Sequence, residues 1–538
     1  MPTLTIDGRK VDGPDGSTVI QVAEQLGVFI PRYCYHPGLS IAGNCRICLV
    51  EVEKAPKLQI ACNTPVTEGM VVHTNSPKVE DGRRAVLEFL LANHPLDCPV
   101  CDQSGECDLQ NFYMNFGLYN PRFREQKVKK KKAVALGPHV MLDQERCILC
   151  SRCERFTDEI SKTGELGIFN RGDQAELGIY PGQQLDNAYA SNVVDICPVG
   201  ALTEKDFRFK ARVWYLSSAP TVCNGCAQGC NMEVHFVLDR PHLNDGARVL
   251  RVKPRYNADV NDWWMCDEGR YGFEWVDKGR LTKVRNRGVD STWEEAIPAI
   301  AETLEETCGN RRGSLGVIAS PQLTNEELFL VREVFRSSLG AVVSTTAPMP
   351  PSHSDDFLIK SDKNPNTLGS TLQGLSGPGT PDVETILKEA LEGRIESLWV
   401  FGHDLTKFVD EKTLQELSER LRLFVFSGTN EAPTTSWAHW VLPTAAYVEK
   451  DGTFVNCHGR IQCFKRAFPP LQDVREDWRV LLDVARQLKR PLAWNNVQEI
   501  FSGLTEAVEV FSGLNHDEIG SGGISLEIPK SMTGADVP

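Results

Sequence analysis

The stretch H-P-L-D-C-P-V-C-D-Q-S-G-E-C-D-L-Q, residues 94–110, holds one histidine and three cysteines. A C-x2-C pair presents two sulfurs from one turn of backbone, which suits a metal site with four protein ligands. The array Cys98, Cys101 and Cys107 is one ligand short of four, and His94 stands four residues before it. The pattern therefore predicts an iron-sulfur cluster with His94 as the fourth ligand.

Three further ligand sets flank this stretch. Fifteen of the 18 cysteines, together with His94, fall into four sets between residues 34 and 266. The other three sets are Cys34, Cys45, Cys48 and Cys62; Cys147, Cys150, Cys153 and Cys197; and Cys223, Cys226, Cys230 and Cys266. Only Cys308, Cys457 and Cys463 are left over. Four sets in series are typical of a redox relay, so we interpret the chain as an electron carrier.

Two structural alternatives compete with this interpretation. A disulfide scaffold suits a small secreted domain, whereas this chain has 538 residues and shows no secretory signal. Zinc is the stronger rival, because C-x2-C pairs also build tetrahedral zinc sites. Four sets in series, two of them with three closely spaced ligands and a distant fourth, fit a relay better than four structural zincs. Reduced cysteines without a signal also predict a cytosol-like compartment.

The composition is that of a large globular protein with about three to five domains. Hydrophobic residues make up 41% and charged residues 24% of the chain. The net charge of -14 argues against a nucleic-acid binder, which needs clustered Lys and Arg. The basic run at 127–132 is interpreted as a solvated linker. No stretch reaches the length of about 18 apolar residues that a spanning helix needs, so membrane attachment is expected only through partner subunits.

The amino-terminal segment predicts a small β-rich domain. L-T-I-D-G-R-K-V-D-G has the alternation and D-G turn of a β-hairpin, and V-I-Q-V-A-E-Q-L-G has helical periodicity ending in Gly27. A cysteine loop follows, which is the element order of a ferredoxin. With Cys62 the first set reads C-x10-C-x2-C-x13-C, a variant of the plant-type pattern that suits a [2Fe-2S] cluster.

The third set begins with C-I-L-C-S-R-C and is followed, after 43 residues, by C-P-V-G-A-L. It looks like half of a bacterial ferredoxin. In two-cluster ferredoxins the Cys before Pro serves the other cluster. Only one triplet lies in this segment, so Cys197 most simply completes the same [4Fe-4S] site.

The motif at 94–110 resembles the large iron-sulfur subunit of bacterial respiratory complex I, the homologue of the 75 kDa subunit. The resemblance implies a [4Fe-4S] cluster with one histidine ligand at His94, Cys98, Cys101 and Cys107, and a [4Fe-4S] cluster at the third set. It also implies an electron-transfer subunit of a proton-pumping NADH:quinone oxidoreductase, without a substrate site of its own. The expected partners are the flavin-bearing, NADH-binding subunit and other peripheral-arm subunits, and the expected location is peripheral, on the cytoplasmic side of the bacterial inner membrane.

The fourth set, C-N-G-C-A-Q-G-C with Cys266 after 35 residues, resembles the iron-sulfur domain of molybdopterin oxidoreductases and implies a third [4Fe-4S] cluster. Downstream, S-L-G-V-I-A-S, S-L-W-V-F-G and L-R-L-F-V-F-S-G alternate with helical patterns and predict a parallel α/β sheet. Thr324 and Glu327 have the spacing of a capping box. The stretch from His439 to Gln462 again resembles the molybdopterin oxidoreductase fold.

Two other functions compete with a complex I subunit. One is a relay subunit of a soluble NAD-linked hydrogenase, although such subunits usually end near the third set. The other is a molybdenum-dependent, NAD-linked formate dehydrogenase. Two features argue against the formate dehydrogenase. Cys308 lies where the sequence predicts a helix end and is interpreted as a buried structural thiol. Too little chain also remains for a terminal cofactor-binding domain. For the same reasons no molybdopterin is expected on this chain. No G-x-G-x-x-G or Walker A spacing is present, so NADH and flavin are expected on another chain.

The predicted fold class is multidomain α+β and α/β. The expected domains are a ferredoxin-like [2Fe-2S] domain at 1–78, a His/Cys segment at 79–120, a ferredoxin-like [4Fe-4S] domain at 138–215, a molybdopterin-oxidoreductase-type [4Fe-4S] domain at 217–280, a reduced α/β domain of the same resemblance at 290–515, and a flexible tail at 516–538.

Overall fold

The computed structural model describes residues 1–118, 120, 122–309, 311–346 and 348–528. The chain divides into two compact units, Met1–Leu216 and Ser217–Pro538. The helices and strands of the first unit are β1 Thr3–Ile6, β2 Arg9–Asp12, α1 Val19–Gln25, β3 Leu49–Val52, β4 Gln59–Ile60, β5 Val71–His73, α2 Pro77–Asn93, α3 Asp108–Phe116, β6 Val134–Ala135, β7 Val140–Leu142, α4 Arg152–Glu159, β8 Leu166–Phe169, β9 Glu176–Ile179, α5 Asn192–Asp195 and β10 Leu202–Glu204.

The first unit begins with a five-stranded sheet in the order β2-β1-β5-β3-β4. The β1–β2 hairpin turns at Asp7 and Gly8, which both have positive φ as a tight hairpin turn requires. A capping box between Thr18 and Gln21 begins α1, and Gly27 follows the helix with a φ of 69°. The structure thus confirms the predicted hairpin and helix.

Helix ends place several of the predicted ligands in this unit. Ser76 caps α2, whose last residue is Asn93, so His94 directly follows the helix. Cys107 directly precedes α3. Further along the chain, β6, β7 and β10 form a small antiparallel sheet, and β8 and β9 form a hairpin. The loops that carry the predicted ligands therefore start and stop at well-defined elements.

The second unit contains β11 Ser217–Val222, β12 Asn231–Phe236, β13 Val249–Pro254, α6 Asp267–Tyr271, β14 Arg285–Asn286, β15 Val289–Asp290, α7 Trp293–Cys308, β16 Leu315–Ala319, α8 Asn325–Leu330, β17 Val342–Thr345, α9 Thr367–Leu372, α10 Val383–Leu391, β18 Ser397–Phe401, α11 Glu411–Arg420, β19 Leu423–Gly428, β20 Trp440–Pro443, β21 Gly452–Val455, β22 Arg460–Phe464, α12 Asp477–Gln487, α13 Val497–Ala507, α14 His516–Ile519 and β23 Ile524–Ser525. A π-helical segment, Val331–Ser338, continues α8.

The largest sheet of the second unit has the order β15-β14-β20-β19-β18-β16-β17, and the last five of these strands run parallel. Helices α7, α8, α12 and α13 contribute to the buried cluster on one side, and α10 and α11 to a second cluster. Strands β16, β18 and β19 are the three apolar runs predicted from the sequence, and Thr324 and Glu327 form the expected capping box. The structure confirms the predicted parallel α/β region.

Two antiparallel sheets complete this unit: β11-β12-β13, and β21-β22-β23. Part of the tail expected to be flexible, 516–538, has regular structure. It contains α14 and β23, and Ile519 is 2% exposed. The segment is ordered because β23 pairs with β22 and Ile519 packs into the core, contacts that its Gly- and Ser-rich composition hides. Residues 529–538 of the expected tail lie outside the described residues.

Among the described residues, no helix is both long and apolar enough to cross a membrane.

Candidate metal centres

The first site is a loop between α1 and β3, closed by a short helical turn after β4. The loop carries Cys34, Cys45 and Cys48, and the turn Ala61–Asn63 carries Cys62. The backbone N–H of Cys34 donates to Cys45 Sγ at 3.4 Å. Thiol hydrogen bonds join Cys34 to Cys45 and Cys62, and hold the pKa of Cys34 well below its usual range. Cys48 bonds Cys62 in the same way, so the four sulfurs form one group.

The second site lies between the end of α2 and the start of α3. His94, Cys98 and Cys107 line one cavity of about 510 Å³. Cys101 is electrostatically coupled to Cys98 and Cys107, and its sulfur lies against Gly200, where an added Cβ would be 2.4 Å from Sγ. The structure brings this set together.

His94 has the properties of a metal ligand. Burial lowers the pKa of His94 to about 4, so the imidazole is neutral at pH 7. Its Nδ1 is buried and has no hydrogen-bond partner among the residues that the structure describes. A neutral ring with an unsatisfied buried nitrogen fits a bound cluster, because a metal ligand must offer a lone pair.

The third site follows β7. Cys147 and Cys150 precede α4, Cys153 lies in its first turn, and Cys197 follows α5. All four line one small, mostly apolar cavity. Burial raises the pKa of Cys147 to about 12 and that of Cys150 to about 11. Without metal these thiols are protonated, and the positive charge of iron would stabilise them as thiolates.

A bidentate ion pair joins the ligand loops of the second and third sites. Arg146, next to Cys147, lies 2.8 Å from Asp97 Oδ2 through Nη2 and 3.3 Å from Asp97 Oδ1 through Nε. Asp97 precedes Cys98, and Lys132 Nζ lies 3.3 Å from the same carboxylate. The basic run predicted to be a solvated linker is thus partly fixed by ion pairs and by Lys127, which donates to the carbonyls of Leu91 and Ala92.

The fourth site belongs to the second unit. Cys223, Cys226 and Cys230 lie in the connection from β11 to β12, and Cys266 caps the N-terminus of α6. The N–H of Gly225 donates to Cys223 Sγ and that of Gly269 to Cys266 Sγ, both at 3.4 Å. Burial raises the pKa of Cys266 to about 11, and the thiol of Cys226 adds to the increase. The four buried thiols again form one group.

Two glycines that leave space for the sulfurs of proposed ligands were not predicted from the sequence. An added Cβ on Gly269 would lie 3.0 Å from Cys223 Sγ, and Gly200 faces the sulfur of Cys101. Nor was Arg152, a buried arginine between two ligands of the third site. Each stands within a few residues of a predicted ligand, and that proximity was the only signal in the sequence.

The three remaining cysteines have other settings. Cys308 is the last residue of α7, 6% exposed, and bonds Thr307, which confirms a buried thiol at a helix end. Cys463 lies in β22, and the N–H of Cys457 donates to the carbonyl of Ala227 at 2.8 Å. In the described part of the chain, no three His, Cys, Asp or Glu side chains gather closely enough to hold a single metal ion.

A separate cavity of about 450 Å³ lies at the carboxyl ends of β16, β18 and β19. Ligands of α/β sheets bind at this edge, where the strand order reverses. Its lining includes the buried pair Lys450 and Asp477. Lys450 Nζ also binds Glu327 at 2.7 Å, so two carboxylates share one ammonium. Burial raises the pKa of Asp477 to about 7.

Five protein-family models match the chain across its cysteine-rich part and beyond. Their descriptions are 2Fe-2S iron-sulfur cluster binding domain at 1–77, NADH-ubiquinone oxidoreductase-G iron-sulfur binding region at 83–122, NADH-quinone oxidoreductase subunit 3, ferredoxin-like domain at 137–203, Molybdopterin oxidoreductase Fe4S4 domain at 216–278 and Molybdopterin oxidoreductase at 364–487. The order of these matches confirms the predicted fold class.

Relatives match nearly the whole chain. The mitochondrial NADH-ubiquinone oxidoreductase 78 kDa subunit of Candida albicans is 32% identical over 98% of this chain and 88% of the relative. The subunit of the same name from Neurospora crassa is 32% identical over 94% of this chain and 83% of the relative. Among solved structures, an NAD+-reducing [NiFe]-hydrogenase in the H2-reduced state is 32% identical over 39% of this chain and 91% of its own, with a TM-score of 0.36. On the identity and coverage of its relatives, this chain belongs to the family of the large iron-sulfur subunit of NADH-quinone oxidoreductase.

Proposed function

We propose that the chain binds one [2Fe-2S] cluster and three [4Fe-4S] clusters and relays electrons from a flavin-bearing partner subunit towards quinone. The proposal rests on family membership and on one structural observation. In three of the four sets, the ligand that is remote in sequence, namely Cys62, Cys197 or Cys266, lies with its closely spaced partners. This closure brings together the four ligands that an iron-sulfur cluster requires.

The proposed ligand sets assign the [2Fe-2S] cluster to the first site and [4Fe-4S] clusters to the other three. The first set keeps the plant-type order of a C-x2-C pair with a ligand on each side. The second set includes His94, whose buried Nδ1 lacks another partner in the described part of the chain. The proposed domains are 1–78, 79–120, 138–215, 217–280 and 290–515, each set of ligands falling within one of the first four.

When bound, the clusters supply one-electron redox chemistry. The chain's own residues hold the ligands in place, exclude water and set the charge around them. Three of the proposed ligands are each 8% exposed: Cys101, Cys153 and Cys226. In a site shielded from water, the electrostatic interactions with nearby charges are stronger. Backbone N–H groups such as those of Gly225 and Gly269 donate to ligand sulfurs, and such bonds tune cluster potentials.

The proposal places the chain in the peripheral arm of the enzyme, beside the subunit that oxidises NADH. It assigns no substrate bond-breaking step to this chain. The flavin and the nicotinamide site belong to the partner, and contact with the membrane runs through other subunits on the cytoplasmic side. Family membership supports the assembly, and the ligand sets support the relay.

A matched pair of variants tests the relay. Cys147→Ser replaces a proposed ligand, whereas Cys463→Ser makes the same chemical change in β22, at a cysteine that belongs to none of the proposed sets. In the assembled enzyme we expect Cys147→Ser to lose about 4 irons per chain, one [4Fe-4S] EPR signal and most NADH:quinone electron transfer. Cys463→Ser should keep all three. Full iron and full electron transfer in Cys147→Ser would contradict the proposed function.

A further inference from the structure

Arg152 joins the backbones of two different proposed cluster sites. It begins α4, between Cys150 and Cys153 of the third site, and is 7% exposed. Its Nη1 donates to the carbonyl of Ile196 at 2.9 Å, and its Nη2 donates to the carbonyl of Tyr35 at 2.7 Å. Ile196 precedes Cys197 of the third site, and Tyr35 follows Cys34 of the first site.

No carboxylate among the described residues forms a direct ion pair with this guanidinium. Both hydrogen-bond acceptors are neutral carbonyls, and the carboxylate of Asp108 attracts the guanidinium without forming a direct ion pair with it. Its Nε–H is buried and lacks a partner among the same residues. A buried cation is stable only when charge or hydrogen bonds compensate it. Clusters held by thiolates are anionic, so they can provide that compensation.

We infer that Arg152 is a positioning residue that raises the reduction potentials of the clusters at the first and the third site together. This inference rests on the proposed function, because it assumes that both sites hold clusters. An added electron makes each cluster more negative, and a nearby fixed cation favours that reduced state. One side chain contacts the ligand loops of both sites, so its removal should move both potentials in the same direction.

A second buried arginine provides a matched control. Arg83 is 1% exposed, and its Nη2 donates to the carbonyl of Leu49, which follows Cys48 of the first site. Its Nη1 donates to Asn75 Oδ1 at 3.5 Å. Arg83 therefore contacts the backbone next to a first-site ligand, and neither bond reaches the third site. Its neutral variant should change the potential of the first site and leave that of the third site in place.

The experiment is an EPR-monitored redox titration of the assembled enzyme carrying Arg152→Gln or Arg83→Gln. We expect Arg152→Gln to lower both midpoint potentials by an amount equal to about a tenfold change in the equilibrium, or about 59 mV for one electron. Arg83→Gln should lower only the potential of the [2Fe-2S] centre. Unchanged potentials with intact signals in Arg152→Gln, or a change at one site alone, would overturn the inference while leaving the proposed function standing.

Arg152→Lys separates charge from structure and decides the question if Arg152→Gln loses a cluster. Lysine keeps the positive charge but cannot reproduce the two-pronged contact of a guanidinium. Both midpoint potentials should therefore stay near those of the unmodified enzyme. A fall in both potentials in Arg152→Lys would show that the charge does not set them. Absence of a centre at the first or third site in the unmodified enzyme would instead refute the proposed function itself.

Discussion

Gly200→Ala should remove the cluster of the second site while leaving the fold in place. The new Cβ would lie 2.4 Å from Cys101 Sγ and 3.0 Å from Gln103 Cβ. Favourable contacts between such atoms begin near 3.5 Å, so the sulfur must move by roughly 1 Å. Metal–ligand distances tolerate only about 0.2 Å. A displacement several times that tolerance takes Cys101 out of reach of iron.

The backbone does not oppose this substitution. Gly200 is not among the residues with a left-handed φ, so alanine is compatible with its conformation. The sulfur can rotate away from the new methyl group, and the cost to stability should stay within about 1–3 kcal/mol, as for other overpacked sites. Loss of the cluster and retention of the fold are therefore expected together.

The assay is iron content, EPR and thermal unfolding of the enzyme with Gly200→Ala. We expect a loss of about 4 irons per chain, or about 1 if a three-iron species remains. Gly522→Ala is the control, because Gly522 has no atom within 4 Å of an added Cβ and no left-handed φ. Full iron content together with an unchanged second-site EPR signal in Gly200→Ala would refute the reasoning.

Three further predictions concern other parts of the chain. His94→Cys should keep a cluster but lower its potential, because a thiolate adds negative charge, whereas His94→Ala should lose it or leave a three-iron species; unchanged EPR spectra in both would rule out ligation. Replacing Cys226 and Cys266 together should lower the thermal stability or assembly of the enzyme, since a metal site couples binding to folding; normal assembly with lost NADH:quinone activity would mean that this cluster conducts instead. The raised pKa of Asp477, about 7, means that the folded state binds its proton more tightly than the unfolded chain, so stability should fall by up to about 1.4 kcal/mol per unit as pH rises from about 4 to 7. Asp477→Asn should flatten this slope in denaturant unfolding series, and an unchanged slope would contradict the assignment.

The elements that could be predicted from the sequence are those fixed by local patterns. The D-G hairpin, the capped helix at Thr324 and the apolar strands carry their signals within a few residues. The proposed ligand sets also rest on local signals, because C-x2-C spacing is local and few other cysteines compete for the remote positions. The helices that directly follow Cys107 and Cys266 were not predicted, since their first turns are determined by the loops that hold the sulfurs.

The missed features depend on contacts between distant segments. Nothing around Arg152 reveals that its guanidinium meets the carbonyl of Tyr35, and nothing around Gly200 reveals that it lies against Cys101. The composition of the tail likewise hides the pairing of β23 with β22. These contacts arise from tertiary packing, which a one-dimensional pattern does not encode.

The proposed relay requires that four clusters fill the four sites. The most direct measurement is the iron, acid-labile sulfide, zinc and molybdenum content of the anaerobically prepared protein. One [2Fe-2S] and three [4Fe-4S] clusters predict about 14 irons per chain, an equal amount of sulfide and no molybdenum. Stoichiometric zinc, or iron below about half of that value, would contradict the four-cluster account.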